Sequence, residues 1–289
     1  MFIDLHVHLG KRHRKDGLDL TAENVLKAMD KYGIEKAVIQ PRAQSPENGF
    51  FHFDTFAALD VCKKYPDRYY TFCKLDPRNG KNSPDTDFSW VLDEFVGLGC
   101  KGMGELTANL WIDDPRYLNM FKQCGAAGLP CLLHIAARVG YRIYGAADDP
   151  GLPRFEKVIQ ELPGTVFIAH AQAWWAEIAN NVAVDKREGY PKGEYPGFGR
   201  AYELLKKYPN LYGDISAGSG FNALSRDPEK GYKFLDELQD KLLFGTDICN
   251  PEQVLNIVPF MNDALANGKI TKVVYDKITH INAQKLLKL

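Results

Sequence analysis

FIDLHVHLG, residues 2–10, is an apolar run containing Ile and Val that is broken at Gly10, before a polar stretch over residues 11–19. This pattern predicts a buried strand that ends in a loop. Side chains on a strand alternate between its two faces, so His6 and His8 should point the same way. Two imidazoles on one face can bind one metal ion. The alternative is a pair of core histidines whose hydrogen bonds are satisfied within the protein.

The rest of the chain alternates between strand-like and helix-like segments. Its 289 residues could form two average domains or one large α/β barrel. The hydrophobic periodicity and the Gly and Pro breaks predict eight strands, at residues 2–10, 34–40, 69–75, 100–106, 130–136, 165–171, 211–215 and 242–246. Each strand is followed by a helical pattern, the first of them capped by Thr21 and ended by Gly33. A mean strand spacing of roughly 36 residues favours one (β/α)₈ TIM barrel of the α/β class.

The competing fold is an open, doubly wound sheet. That fold usually has a glycine-rich phosphate turn that opens a helix, but the nearest candidate, at residues 99–104, opens a strand. Internal repeats and linker-like stretches are absent from the sequence. We therefore expect a single barrel domain over residues 1–289.

Composition and charge narrow the class of protein. The hydrophobic fraction of 45% and charged fraction of 25% are those of a globular protein, and the net charge of -1 gives no reason to expect a nucleic-acid or membrane partner. The six cysteines are scattered without a Cys-x-x-Cys pair, which indicates free thiols in a reduced compartment. No signal peptide or membrane-length apolar run is evident, so we expect a cytoplasmic protein.

Candidate metal ligands follow several of the predicted strands. The strands of a (β/α)₈ barrel converge at their C-terminal ends, where enzymes of this fold carry out their chemistry. Carboxylates at such an apolar convergence are costly unless they meet a cation. A shared metal site therefore explains these residues better than separate core roles do, and its members are His6, His8, Glu105, His134, His170 and Asp247. Of the other histidines, His13 and His52 fall in predicted loops and His280 on the last helix.

Five segments carry a resemblance to a known family: FIDLHVH at 2–8, LLH at 132–134, FIAH at 167–170, LFGTD at 243–247 and INAQKLL at 281–287. Together they resemble the amidohydrolase superfamily, and within it the branch known as amidohydrolase 2, which also contains non-oxidative decarboxylases. The resemblance covers essentially the whole chain, and its motifs are specific for the fold and the metal site but weak for the substrate.

The resemblance implies roles for individual residues. His6, His8 and Asp247 would hold a divalent metal, with His134 as a further ligand. His170 would be a ligand of a second metal or would orient the attacking water, and Asp247 would also accept a proton. Such ligands suit Zn²⁺, as one ion or two, with Mn²⁺, Fe²⁺ or Ni²⁺ as substitutes.

Glu105 departs from many superfamily members, which carry a lysine at the end of the fourth strand. It is similar to the glutamate that bridges two metals in the TatD-like deoxyribonucleases, and it is not expected in the decarboxylases of the branch. Alternatively, Glu105 pairs with Lys101, Arg138 or another cation at the mouth.

Residues near the predicted mouth suggest an anionic substrate. Arg42, Lys74 and Arg138 could bind a negative group, although each could also be a solvated surface charge. Trp174 could stack on a ring of the substrate or only fix its loop to the barrel. The expected partner is a small-molecule substrate, with self-association left open.

Three functions follow. The first is a metal-dependent hydrolase that uses a metal-activated water to cleave an amide, lactone or ester-like bond of a small anionic molecule. The second is a metal-dependent decarboxylase of an aromatic or unsaturated acid. The third is a non-catalytic barrel that binds a metal or ligand.

Overall fold

The computed structural model of the chain describes residues 1–10, 19–42, 45–48 and 53–289. His13 and His52 lie outside the described residues. Within the described ranges, no helix combines the length and the apolarity needed to cross a membrane. All six cysteines are free, as the sequence predicts.

Parallel strands build the centre of the molecule. They are β1 (Phe2–Val7), β2 (Ile34–Ile39), β3 (Tyr69–Thr71), β4 (Met103–Leu106), β5 (Cys131–Ala136), β6 (Ala146–Ala147), β7 (Phe167–His170), β8 (Leu211–Asp214) and β9 (Leu242–Leu243). One sheet has the order β1-β2-β3 and the other β4-β5-β7-β8-β9, with the short β6 paired to β5 beside this path. Eight of the strands lie within the eight predicted segments, and β6 is an addition that the sequence did not indicate.

Backbone hydrogen bonds join the two sheets at both seams. On one side, Leu5 N donates to Phe244 O at 2.9 Å and Asp247 N to His6 O at 2.8 Å. On the other side, Cys73 N donates to Gly102 O at 2.8 Å. The eight strands therefore follow one another around a (β/α)₈ barrel, as predicted.

Helices surround the strands and begin and end where local chemistry allows. Thr21 accepts a hydrogen bond from Asn24 N at the start of the first helix, and Gly33 ends it with φ +70°. The α-helices are α1 (Ala22–Tyr32), α2 (Thr55–Lys64), α3 (Ser89–Gly97), α4 (Pro115–Ala126), α5 (Pro153–Glu161), α6 (Gln172–Ala176), α7 (Arg200–Lys207), α8 (Ala217–Ser225), α9 (Pro228–Glu237), α10 (Ile257–Ala266), α11 (Lys272–Asp276) and α12 (Asn282–Leu287). A π-helical turn, Lys277–Ile281, separates the last two. The helix α6 lies in the stretch that the sequence analysis treats as the loop of Trp174.

The floor of the mouth is apolar. A cluster inside the ring takes side chains from five strands and from Phe72, which directly follows β3; the strand residues are Ile3, Leu5, Val38, Leu132, Ile168 and Leu243. Leu5 belongs to this cluster while the adjacent His6 reaches the mouth, which strict alternation along a strand does not allow. The pairing of β1 with β2 shifts register between Asp4 and Val7, and this irregularity accommodates both side chains.

Candidate metal centre

His6 and His8 face each other at the end of β1. Both are fully buried, and their Nε2 atoms are 3.0 Å apart. His6 Nδ1 lies 2.8 Å from Asp214 Oδ2, and His8 Nδ1 lies 2.9 Å from the carbonyl oxygen of Gln40. Because carboxylate and carbonyl oxygens accept hydrogen bonds, each Nδ1 is assigned as the donor. In the neutral rings both Nε2 lone pairs then point into the same space, as in a pair of metal ligands.

Two carboxylates complete this group of acceptors. Asp247 Oδ1 lies 3.1 Å from His8 Nε2 and 3.6 Å from His6 Nε2. Glu105 Oε2 lies 3.6 Å from His8 Nε2. Asp247 Oδ1 is buried and accepts no hydrogen bond from any described residue. A buried acceptor without a donor, beside two imidazole lone pairs, fits a divalent cation.

The same space offers two overlapping sets of ligand atoms. In each set the atoms lie within 4.8 Å of one another, the first set being His6, His8 and Asp247 and the second His6, Glu105 and His170. His170 Nε2 is 3.9 Å from Glu105 Oε1 and 4.0 Å from Asp247 Oδ2. The geometry thus brings together five of the six predicted ligands and allows one ion or two.

His134 occupies a different place from the other histidines. Its Nδ1 lies 2.6 Å from Glu105 Oε1, and it belongs to neither set of ligand atoms. In this structure His134 orients Glu105. The role of His134 as a direct metal ligand stays a prediction.

Asp214, at the end of β8, belongs to the candidate site, and the sequence analysis did not identify it. Its Oδ2 lies 2.8 Å from His6 Nδ1 and 3.1 Å from His170 Nδ1, and it accepts the Ser216 hydroxyl at 2.7 Å. Trp175 Nε1 donates to the backbone oxygen of Asp214 at 2.9 Å. The signal was present, because Asp214 lies at the C-terminal end of a predicted strand, as the other candidates do.

Burial and charge set the protonation of the group. Burial alone would lower the pKa of His6, but the charges of Asp247, Asp214 and Glu105 outweigh it and raise that pKa to about 9. Burial and the charge of Arg42 lower the pKa of His8 to about 4. Burial opposes ionisation of Asp214, yet its contacts with His170 and His6 hold its pKa well below the ordinary range. The cluster therefore carries excess negative charge, which a cation would balance.

A turn fixes Asp247 over the site. Thr246 N donates to Asp4 Oδ1 at 2.9 Å, which ties the turn to β1. Asp247 itself has φ +51°, in the left-handed region. A Cβ atom at Gly245 would lie 2.7 Å from Asp214 Oδ1, so only glycine fits between the turn and β8.

Of the predicted substrate-binding residues, Arg42 lies at the centre. Its NH2 is 3.8 Å from Asp247 Oδ1. Lys74 is close to the site but buried, and its Nζ donates to Glu105 O at 2.5 Å and to Thr107 Oγ1 at 2.6 Å. Burial lowers the pKa of Lys74 to about 8. Lys74 thus holds the backbone of β4 in this structure.

The other two predicted substrate contacts lie elsewhere. Arg138 is 58% exposed and its Nε lies 2.6 Å from Glu188 Oε1, so that a carboxylate of the protein already pairs with it. Trp174 is fully buried, with its ring centre 6.1 Å from that of Phe155. This core position does not support the predicted stacking on a substrate; the ring instead fixes α6 to the barrel.

A cleft adjoins the centre on the side of His134. Its volume is about 170 Å³. Tyr144 covers His134 there, with ring centres 4.3 Å apart. The polar side chains of its wall are His134, Arg142, Tyr144, Gln172, Arg187 and Glu188.

Comparisons with known proteins agree with this architecture. A family model described as Amidohydrolase matches residues 3–289. An uncharacterized TIM-barrel protein from Bordetella bronchiseptica is similar, with a TM-score of 0.67 and 16% identity over 99% of this chain and 98% of that one. So are a putative 2-pyrone-4,6-dicarboxylic acid hydrolase from Pseudomonas putida (TM-score 0.64, 14% identity, 99% and 97% covered) and a 2,6-dihydroxybenzoate decarboxylase from Rhizobium (0.58, 17%, 99% and 98%). No curated protein matches the chain. At these identities the structures support the fold alone.

Proposed function

The chain belongs to the amidohydrolase family, and on that premise we propose that it is a metal-dependent hydrolase of a small anionic molecule with an amide, lactone or ester-like bond. One observation carries the proposal. His6 Nε2, His8 Nε2 and Asp247 Oδ1, which accepts no hydrogen bond from a described residue, converge in one buried space, where a divalent cation would satisfy all three. We propose Zn²⁺ as the ion, because it suits mixed imidazole and carboxylate ligands.

Individual residues have separate roles in the proposed reaction. His6, His8 and Asp247 would hold the ion, which would lower the pKa of a bound water and polarise the scissile carbonyl. Asp247, whose side chain is 20% exposed, takes the proton of the attacking water and returns it to the leaving group. Arg42, whose NH2 is 3.8 Å from Asp247 Oδ1, neutralises negative charge that develops on the substrate. Serine and cysteine nucleophiles are not needed in this scheme.

A non-oxidative decarboxylase is the second candidate. A decarboxylase from Rhizobium has the same fold, and the family resemblance includes such lyases. In that case the same acceptors and Arg42 would bind the carboxylate that is lost. Glu105 favours the hydrolase, since it adds a second carboxylate to the ligand sets.

The test uses zinc-loaded protein and two substrate panels. The first holds lactones, esters and amides that carry a carboxylate, and the second holds aromatic and unsaturated carboxylic acids. Release of acid, alcohol or amine is measured against release of carbon dioxide, for the wild type, for Asp247→Asn and for the control Asp60→Asn, which alters a side chain 76% exposed on α2.

Hydrolysis that Asp247→Asn abolishes and Asp60→Asn preserves would support the proposal. Carbon dioxide release with no hydrolysis would assign the protein to the lyases. Full zinc occupancy without turnover of either panel would favour the non-catalytic barrel.

A further inference from the structure

Arg187 is the largest charged side chain buried beside the cleft. It follows the short 3₁₀ turn Val184–Lys186 and is only 1% exposed. Arginine is rarely buried unless acceptors surround it, because a charge that leaves water must recover its hydration. Among the described residues, acceptors lie near the Nε and NH1 atoms of Arg187 but not near NH2.

Two contacts engage the Nε and NH1 atoms of Arg187. Glu177 Oε1 lies 2.9 Å from Arg187 Nε, and Arg187 NH1 donates to Asp148 O at 3.0 Å. The hydrogen on Nε is not aligned with Glu177, so this contact is an ion pair without a hydrogen bond. NH2 has no acceptor among the described residues although it is buried. A buried donor left unpaired has lost its hydration without replacement, so an acceptor from outside the chain is favoured there.

The cleft supplies the room for that acceptor. Arg187 lines it together with Gln172, Arg142 and His134. His134 contacts Glu105 at 2.6 Å, so the cleft opens directly beside the metal centre. Arg142 adds a second positive charge, whereas Glu188 is engaged by Arg138. A molecule bound at Arg187 would therefore meet the guanidinium groups of Arg187 and Arg142 at one end and the candidate metal ligands at the other.

We propose that Arg187 binds a carboxylate of the substrate, separate from the bond that is cleaved. The planar guanidinium matches a carboxylate with two parallel N–H groups, which a lysine cannot do. The cleft volume of about 170 Å³ restricts the ligand to a small organic acid. The identification of the bound acid as a substrate rests on the proposed function. The binding of the acid itself can be measured without turnover.

The experiment measures dissociation constants by calorimetry for glutarate, succinate and benzoate, each against its uncharged amide. Metal-stripped and zinc-loaded proteins are both used, because a carboxylate can also bind the ion. The variants are Arg187→Lys, which keeps the charge beside Glu177 but loses the forked donors, and Arg68→Lys as the control. Arg68 is paired with Asp30 and donates to Ile34 O at the start of β2, at the other end of the barrel. Thermal unfolding verifies that each variant is folded.

The expected result is that wild-type protein binds at least one acid more tightly than its amide, with and without zinc. Arg187→Lys should weaken that binding about tenfold or more, and Arg68→Lys should leave it unchanged. If Arg187→Lys does not fold, the double variant Arg187→Gln, Glu177→Gln removes both charges together and should show the same loss.

Two results would overturn the inference: no acid preferred to its amide by the wild type, or equal affinity in wild type and a folded Arg187 variant. Failure of the proposed function looks different. In that case acids bind through Arg187 but neither substrate panel is turned over. Conversely, if Arg187→Lys hydrolyses the substrate with an unchanged KM, Arg187 does not bind a carboxylate of the substrate. The proposed hydrolase function would then still stand.

Discussion

A single oxygen, Oδ2 of Asp214, lies 2.8 Å from Nδ1 of His6 and thereby fixes which nitrogen of that ring faces the metal space. The same oxygen lies 3.1 Å from His170 Nδ1. Carboxylates that accept from the second nitrogen of a metal-binding histidine orient the ring and strengthen it as a ligand. Asp214 therefore controls two rings at once, from a strand that supplies neither of them.

Replacing this carboxylate should weaken metal binding without unfolding the barrel. Asp214→Asn keeps the shape but removes the charge, and loss of such a partner typically costs 10–100-fold in metal affinity. The zinc dissociation constant, measured by competition with a chelating dye, should rise by that order, and Asp60→Asn should not change it. Equal zinc affinity in wild type and Asp214→Asn would show that the rings are oriented by other contacts.

Removing a direct ligand should have a larger effect. His6→Ala deletes the one residue that both sets of ligand atoms share. We expect loss of stoichiometric metal after dialysis, seen by elemental analysis, and loss of turnover that added zinc does not restore. Chelation of the wild type should abolish turnover, and zinc should restore it. Full activity of chelated or His6→Ala protein would exclude the metal mechanism.

Asp247→Asn tests the general base. The amide cannot accept the proton of the attacking water, and positioned bases typically contribute 10²–10⁴ to the rate, so kcat should fall by about a hundredfold or more. Thermal stability with zinc present should change little. The comparison requires equal zinc content in both proteins. Near-native kcat under that condition would move the role of base to His170.

Gly145→Ala should disturb the cleft through a steric contact. An added Cβ would lie 2.6 Å from His134 O and 2.7 Å from His134 Cδ2, at a residue whose φ is +108°. We expect the melting temperature to fall and carboxylate affinity and kcat to drop together. Gly128→Ala is the matched control, since its φ of +71° brings backbone strain but no atom lies within 4 Å of the new Cβ. If both variants behave alike, strain and not the contact with His134 explains the loss.

Metal affinity should depend on pH with a defined sign. The pKa of His6 is raised to about 9 by the surrounding carboxylates, so below that pH the metal must displace a proton. Lowering the pH from about 8 to 6 should therefore weaken zinc binding roughly tenfold per unit for one proton released. Calorimetry in buffers of different ionisation enthalpy would give the number of protons released when zinc binds. Affinity that does not change over this range would mean that His6 is already neutral before the metal binds.

The barrel and the meeting of five candidate metal ligands followed from the sequence, because apolar runs with β-branched residues mark the strands and the candidate ligands directly end them. His6, His8, Glu105, His170 and Asp247 meet for that reason. The alternation rule alone would not have placed Leu5 and His6 on one side, since the register shift in β1 depends on its pairing with β2.

The positions of other residues could not be predicted from the local sequence pattern. Arg187 lies in the long connection after β7, where no periodicity marks burial, and its role depends on Glu177 and on the wall of the cleft. Trp174 looked like a loop aromatic because the short helix α6 that buries it has only five residues, too few to show a helical period.

The seam between the first and the last strands sets the order of events during synthesis. His6 leaves the ribosome with the first strand, but Asp247 reaches it only when nearly the whole chain is present, and Asp247 N then donates to His6 O at 2.8 Å. A nascent chain cannot bring His6, His8 and Asp247 together, so the proposed ion could be held by all three only when translation is almost finished. A protein truncated before residue 242 would lack the strand that closes the ring as well as this ligand. Under the proposed function, retention of the metal would accordingly report complete folding.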